Sequence, residues 1–210
     1  MNFNTFKNSI SKIEESSLRG LDAQFELAPK IRLRFSDDKI KSLQPKKAAV
    51  AALFYPNENN ETCFLLTLRA QYNGTHSSQI SFPGGKYDLK DTSLEETALR
   101  ETYEEVGINK QSISLFKEMT NVYIPPSNFI VTPFLGYMEE IPIFTKNNEV
   151  EELISIKVKD LLNETSLTTT ILSTSYSKNM EVPCFILNDY VVWGATAMML
   201  NEIKDLIKNI

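Results

Sequence analysis

The chain has 210 residues, 42% of them hydrophobic, and a net charge of −5 at neutral pH. That length suffices for one α/β domain with a sizeable core, and the acidic balance excludes broad binding to nucleic acid or to anionic membrane, whose surfaces demand excess Lys and Arg. Cys63 and Cys184 lie in apolar strand-like runs without metal-type spacing, the N-terminus has no apolar signal core, and no apolar run approaches a membrane span. Free thiols, a cytoplasmic location and a small-molecule partner are the resulting expectations.

Phe3, Phe6, Ile10 and Ile13 recur at helical spacing and predict a leading amphipathic helix, with Leu18 and Leu21 carrying apolar content past a break at Gly20. From Asp22 to Pro45 no period persists, Pro29 and Pro45 punctuate the segment, and Lys30, Arg32 and Arg34 form a basic run. Residues 1–45 therefore read as a helix and arm, either packed on the domain or placed at a dimer contact, and monomer and homodimer both stay open. The domain proper is expected over residues 46–210.

Ala48 to Tyr55 and Cys63 to Leu68 read as two strands of a hairpin, joined by the turn-forming Asn57-Glu58-Asn59-Asn60 after Pro56. Ala70 to Gln79 is polar and without period, which predicts an exposed loop. Gly84-Gly85 then opens a glycine loop and an acidic turn, followed by a helix with marked ends. Ser93 and Glu96 have capping-box spacing, and Gly107 can take the left-handed conformation that closes a helix, so the helix is predicted from Leu94 to Val106.

At about 100° per residue, Ala98, Leu99, Thr102, Tyr103 and Val106 gather on one side of that helix and Glu101, Glu104 and Glu105 on the other. Like charges at these spacings cost roughly 0.2–0.5 kcal/mol per pair, and Arg100 is the cation within one turn of the cluster. A divalent ion would remove the repulsion. The three carboxylates and the Gly85 carbonyl make an all-oxygen donor set, which suits Mg²⁺ or Mn²⁺ better than zinc. The plainer alternative is a solvated acidic helix face.

Beyond the helix, Ile113 to Val122 and Phe129 to Tyr137 read as strands around the stiff turn Ile124-Pro125-Pro126-Ser127-Asn128, with Pro133 marking an edge strand or a bulge. Thr145 to Glu152 is a polar loop carrying Glu149, Glu151 and Glu152. Ile156 to Leu162 leads into a short helix, Leu167 to Thr170 and Cys184 to Leu187 supply two more strands, and Trp193 opens a last helix with Met199, Leu200, Ile203, Leu206 and Ile207 on one face.

Gly84-Gly85 followed by Arg100-Glu101-Thr102-Tyr103-Glu104-Glu105-Val106-Gly107-Ile108 resembles the Nudix box, the signature of hydrolases that cleave a nucleoside diphosphate linked to another moiety. Three departures stand out: Thr102 at an apolar position, Asp91 in place of the box's first glutamate, and one extra residue between Asp91 and Arg100. Leu65 to Arg69, His76 and Gln79-Ile80-Ser81-Phe82-Pro83-Gly84-Gly85 resemble the extra motif of the coenzyme A diphosphatase branch, with Ser78 standing where that branch has glycine. Ser127 to Gly136, Glu149-Val150-Glu151-Glu152 and Trp193-Gly194-Ala195-Thr196-Ala197 are similar to further segments of the same branch.

The resemblance implies an α/β Nudix fold, a mixed β-sheet sandwiched between helices. It implies Mg²⁺ or Mn²⁺ held by Gly85, Glu101, Glu104 and Glu105, with Arg100 orienting a glutamate such as Glu104. Arg69, His76, Gln79 and Gly84 would hold the substrate, the guanidinium fork of Arg69 being suited to its phosphates. In this family a glutamate from a later loop completes the site; Glu152 is the first candidate and Glu149 the second, and the general base is Glu101 or Glu152. The implied reaction is hydrolysis of the coenzyme A diphosphate to 4′-phosphopantetheine and adenosine 3′,5′-bisphosphate. Another diphosphate such as ADP-ribose is the alternative substrate. A ligand-binding module without turnover would show a broken Arg-Glu-x-x-Glu-Glu core, and here that core is intact.

Overall fold

The computed structural model describes residues 1–70, 79–173 and 179–209. The leading segment is two helices rather than one, α1 (Phe3–Asn8) and α2 (Ile10–Glu15). They part at Ser9, whose hydroxyl bonds back to the Thr5 carbonyl at 2.9 Å and competes with the helical backbone ladder. The helix α3 (Leu21–Phe25), a 3₁₀ turn at Arg32–Arg34 and α4 (Asp37–Ser42) complete the N-terminal arm.

The apolar run after Pro45 forms β1 (Lys46–Pro56), and a turn at Asn57, whose Oδ1 accepts from the Asn59 and Glu61 amides, returns the chain as β2 (Thr62–Arg69). Next come β3 (Ile80–Ser81), β4 (Gly84–Lys86) and α5 (Leu94–Val106). The glycine segment expected as a loop is thus a strand, paired antiparallel to Ala48–Val50 of β1.

The run expected as one strand over Ile113 to Val122 splits into β5 (Ser114–Glu118) and β6 (Val122–Ile124), both antiparallel to β7 (Phe129–Tyr137). Pro133 of β7, which has no N–H to give, sits between the residues paired with β5 and those paired with β6. It is neither at a sheet edge nor the bulged residue itself. The missing donor is accommodated at a gap in the ladder. The chain closes with β8 (Val150–Lys157), α6 (Val158–Leu162), β9 (Leu167–Leu172), β10 (Met180–Leu187), β11 (Tyr190–Trp193) and α7 (Gly194–Lys208).

Among the described residues eight strands form one mixed sheet, with the path β3-β2-β1-β7-β5 and with β4 on β1, β6 on β7 and β8 on β2, and only β1 and β7 run parallel. Because side chains alternate across a strand, β1 and β2 feed two cores. Ala49, Ala51, Leu53 and Leu65 meet Ala98 and Val106 of α5 on one face. Phe54, Phe64 and Leu66 meet Phe6 and Ile13 of the N-terminal helices and Leu200 and Ile203 of α7 on the other. Phe6 is fully buried, its ring 4.8 Å from that of Phe54, so truncation to Ala would cost roughly 3–5 kcal/mol. The mixed sheet between helical layers is the Nudix architecture expected from the sequence. Among the described residues no helix is long and apolar enough to cross a membrane.

Candidate active site

The helix α5 holds its register through its caps. Ser93 Oγ accepts from the Glu96 amide at 3.1 Å, and the Glu96 carboxylate reaches back to the Thr92 amide at 2.7 Å, one residue earlier than a standard capping box. At the other end Gly107, with φ of +74°, donates to the Tyr103 carbonyl. Ala98 and Val106 of α5 pack on the sheet with Leu99 partly buried, whereas Tyr103, expected on the same side, is 58% exposed; Glu101 and Glu105 turn toward β4 and the end of β2.

Two glycines allow that approach. Gly84 has φ of +149°, and a Cβ there would lie 2.3 Å from the Ala49 carbonyl oxygen, so no side chain fits. Its N–H donates to Glu105 Oε2 at 3.0 Å. A Cβ on Gly85 would lie 2.5 Å from the Glu101 carboxyl carbon; the bare backbone is what lets that carboxylate rest against the strand.

Glu105 is 2% exposed. Burial pushes its pKa up to about 7, against the opposing pull of the Gly84 N–H and of Arg69, while Glu101 and Glu149 push it further upward. Burial also raises Glu101, ahead of the opposing effect of Arg100. Arg69, at the end of β2, donates from Nη1 to Glu105 Oε1 at 3.3 Å and lies 3.9 Å from Glu149 through Nη2, with Nε buried and unpaired. The pairing of β2 with β8 shifts register between Leu68 and Arg69, and such an irregularity re-aims the side chain that follows.

Arg100 is anchored from the other side. Asp91, 4% exposed, accepts from its Nε at 2.8 Å and its Nη2 at 2.9 Å, and also from the Thr97 hydroxyl and the Asp88 amide. The guanidinium holds the Asp91 carboxyl far below the usual carboxylate range. Nη1 is left to bond Glu101 at 2.8 Å and Glu104 at 3.2 Å. Asp91, which stands where the Nudix box has its first glutamate, is the residue that positions Arg100.

The later glutamate requires a correction. Glu152 is not in a loop but in β8, opposite Leu68 and on the Ile154 and Ile156 side of the sheet, away from α5, where its carboxylate raises the pKa of the Tyr190 hydroxyl. Glu149, just before β8, is the one that faces Arg69. His76 lies outside the described residues. Gln79 accepts the Arg69 amide with its carbonyl at 3.0 Å and lines the adjoining cavity.

That cavity has a volume of about 350 Å³, within the roughly 300–1,000 Å³ of small-molecule sites. Arg69, Gly84, Gly85 and Lys86 form its border with the acidic cluster, Ile80, Phe82 and Val50 its apolar floor, Trp193 to Thr196 one wall, and Pro29, Ile31, Arg32, Tyr123 and Ser127 the far side. The Thr196 hydroxyl ties that wall to the Ile80 carbonyl at 2.9 Å. The contribution of Arg32 and its neighbours was not visible in the sequence. Its one signal was a basic run in an otherwise acidic chain.

Five carboxylates, those of Asp91, Glu101, Glu104, Glu105 and Glu149, share the guanidiniums of Arg69 and Arg100. As they stand, no three acidic side chains among the described residues converge on one point. Arg100 Nη1 occupies the gap between Glu101 and Glu104. Because the guanidinium is a rigid plane held by Asp91 through Nε and Nη2, that gap beside the bare Gly85 backbone opens when the Glu101 and Glu104 carboxylates turn away from Nη1. Excess negative charge, hard oxygen donors and a space that a Cβ would fill together suit a divalent cation.

The family model described as NUDIX domain matches residues 45–171. The chain is 31% identical over 155 residues to the uncharacterised Nudix hydrolase NudL of Yersinia enterocolitica, covering 70% of this chain and 75% of that one. It is 29% identical over 163 residues to Nudix hydrolase 3 of Caenorhabditis elegans, covering 68% of this chain and 66% of that protein. A Nudix hydrolase structure from M. smegmatis, RenU, superposes with a TM-score of 0.54 at 16% identity over 79% of this chain and 88% of that one. The MutT protein structure from Methanosarcina mazei Go1 gives 0.51 at 19% identity over 79% and 96%. At those identities the structural likeness speaks for the fold alone.

Proposed function

We propose, from the premise that the chain belongs to the NUDIX domain family and is a Nudix hydrolase, that its nucleoside diphosphate substrate is coenzyme A. The observation that carries this reading is a convergence. The segments resembling the coenzyme A diphosphatase branch are far apart in the sequence, yet Arg69, Gln79 to Phe82, Gly84 and Gly85, Ser127 and Trp193 to Thr196 line one cavity beside the acidic end of α5. Its mostly apolar lining beside charged residues suits a ligand with apolar and heterocyclic parts attached to a charged centre.

Glu101, Glu104, Glu105 and the Gly85 carbonyl would hold Mg²⁺ or Mn²⁺, which when bound neutralises phosphate charge and lowers the pKa of water. Arg69, between Glu105 and the cavity, places its guanidinium against the diphosphate oxygens and offsets charge that builds up during attack. Arg100, clamped by Asp91, fixes the rotamers of Glu101 and Glu104. Glu101 rests against Gly85 with its pKa raised by burial, which suits it to take a proton from attacking water. Glu149, within reach of Arg69, is the second candidate for that task. Water adds to one phosphorus, the bond from that phosphorus to the bridging oxygen breaks, and the products are 4′-phosphopantetheine and adenosine 3′,5′-bisphosphate.

A chromatographic assay of purified protein against coenzyme A, ADP-ribose and a dinucleoside tetraphosphate, with Mg²⁺ and with Mn²⁺, tests the reading. Coenzyme A should give the highest kcat/KM. Preferential turnover of either of the others would move the substrate elsewhere in the family, and coenzyme A binding without hydrolysis would make the domain a ligand-binding module.

A further inference from the structure

The far side of the cavity holds a cation that the diphosphate chemistry does not use. Arg32 is 4% exposed. Its guanidinium is stacked 5.0 Å from the Phe25 ring centre and 5.8 Å from that of Tyr123, and Nη1 donates to the Phe35 carbonyl at 3.0 Å. Nε is buried with no hydrogen-bond partner. Among the described residues Arg32 forms no ion pair, and burial lowers its pKa against the opposing influence of Asp37 and Tyr123. A second buried polar atom without a partner, Ser127 Oγ, lines the same cavity.

Buried arginines are normally paired with carboxylate or phosphate, because an uncompensated charge out of water is costly. Every other arginine-to-carboxylate contact around this cavity is taken up by the acidic cluster at α5. Arg32 faces the ligand space instead, with part of its donor fork unspent. Two flat aromatic faces hold it in place, so little side-chain freedom is lost when an anion arrives.

Its position sets it apart from the scissile diphosphate. Lys86, Ala48, Val131 and Val122 form one continuous rung across β4, β1, β7 and β6. Three strand spacings of about 4.8 Å separate the glycine strand from β6 by roughly 14 Å. Arg32 lies over Tyr123, the neighbour of Val122. It therefore addresses a different anionic group from the one at Arg69.

We infer that Arg32, assisted by Ser127, forms a subsite for a phosphomonoester that the substrate carries apart from its scissile diphosphate, so that this chain selects nucleoside diphosphates bearing a third phosphate. The inference builds on the coenzyme A reading, in which that group is the 3′-phosphate of the adenosine half. It also assigns a specificity role to the N-terminal arm, since Arg32 lies outside the matched family domain at residues 45–171.

Two measurements separate this inference from the reading it builds on. The first is kcat/KM for coenzyme A against 3′-dephospho-coenzyme A. A charge-assisted phosphate contact predicts a preference of roughly 10- to 100-fold for the phosphorylated form, falling to within about threefold in Arg32→Met and partly restored in Arg32→Lys. The second needs no turnover: titration calorimetry with adenosine 3′,5′-bisphosphate against AMP, where the same preference and the same loss are expected. Ser127→Ala, which leaves the arm untouched, should reduce the preference several-fold and serves as the readout if the Arg32 variants do not fold. Equal kcat/KM for both coenzymes in the wild-type protein overturns the subsite, as does an Arg32→Met effect that lowers both substrates alike. Absence of turnover on either coenzyme, with the bisphosphate preference intact, would overturn the coenzyme A reading and leave the subsite standing.

Discussion

Replacing Glu105 by Gln removes a charge that the fold accommodates poorly without a cation, and it should stabilise the metal-free protein in a pH-dependent way. The Glu105 pKa is raised from 4.5 to about 7, chiefly by burial. A carboxyl whose folded-state pKa is raised contributes stability that is fully present below its unfolded pKa and is lost as pH rises through the folded value. The full shift corresponds to roughly 3 kcal/mol at 1.36 kcal/mol per pKa unit, of which about 2.5 kcal/mol falls between pH 5 and pH 8. Gln keeps an oxygen to accept the Gly84 N–H but has no charge to bury. In chelator the two proteins should therefore melt close together at pH 5, and at pH 8 the variant should melt higher by about 5–10 °C. Saturating Mg²⁺ at pH 8 should close or reverse that gap by stabilising the wild type alone. A variant equally destabilised at both pH values, or a wild type indifferent to Mg²⁺, would refute the argument that α5 carries charge awaiting a cation.

Other substitutions probe the remaining assignments. Glu152→Gln should leave kcat within about twofold, because Glu152 stands across the sheet from α5, whereas Glu149→Gln should cost roughly tenfold or more; the reverse ranking in steady-state kinetics would restore Glu152 to the site. Asp91→Asn should cost roughly 2–4 kcal/mol in denaturant unfolding by leaving Arg100 without its main partner. Because the folded Asp91 pKa is depressed below 3.8, its stabilisation is present above that value and is lost as pH falls further, so wild type and variant should converge in strong acid. Gly84→Ala should cost roughly 3–5 kcal/mol from its positive φ and the clash with the Ala49 carbonyl, seen as a melting point lower by about 8 °C or more.

Much of α5 was legible because its information is local. Ser93 and Gly107 fixed its ends, and Leu94 to Val106 is the span observed, while its facing was legible only in part: Ala98, Thr102 and Val106 are buried as expected, but Tyr103 is 58% exposed and Glu105, expected on the acidic side, is buried. The two leading strands were legible for a similar reason, as apolar runs bounded by turn residues. The glycine strand β4 was not, because a strand without side chains shows no alternation and its pairing is imposed by β1. The break between β5 and β6 depends on Pro133 in a different strand, so nothing within 113–122 announces it. Glu149 and Glu152 belong to one polar run, and only the register of β8 against β2 sends them to opposite faces. The cavity was the least legible feature: the arm at Arg32, the turn at Ser127 and the wall at Trp193 meet only through the tertiary fold, and a lone arginine in an irregular segment gives no periodic signal. Asp91 was hidden in another way, since its role runs through Arg100 and not through a ligand.

The most direct test of the whole account is product-resolved turnover of coenzyme A by the wild-type protein and Glu105→Gln side by side, with Mg²⁺ or Mn²⁺ saturating. The wild type should release 4′-phosphopantetheine and adenosine 3′,5′-bisphosphate in equal amounts, and the variant should be slower by at least about 100-fold. Turnover by the variant near the wild-type rate would contradict the assignment of α5 as the catalytic element.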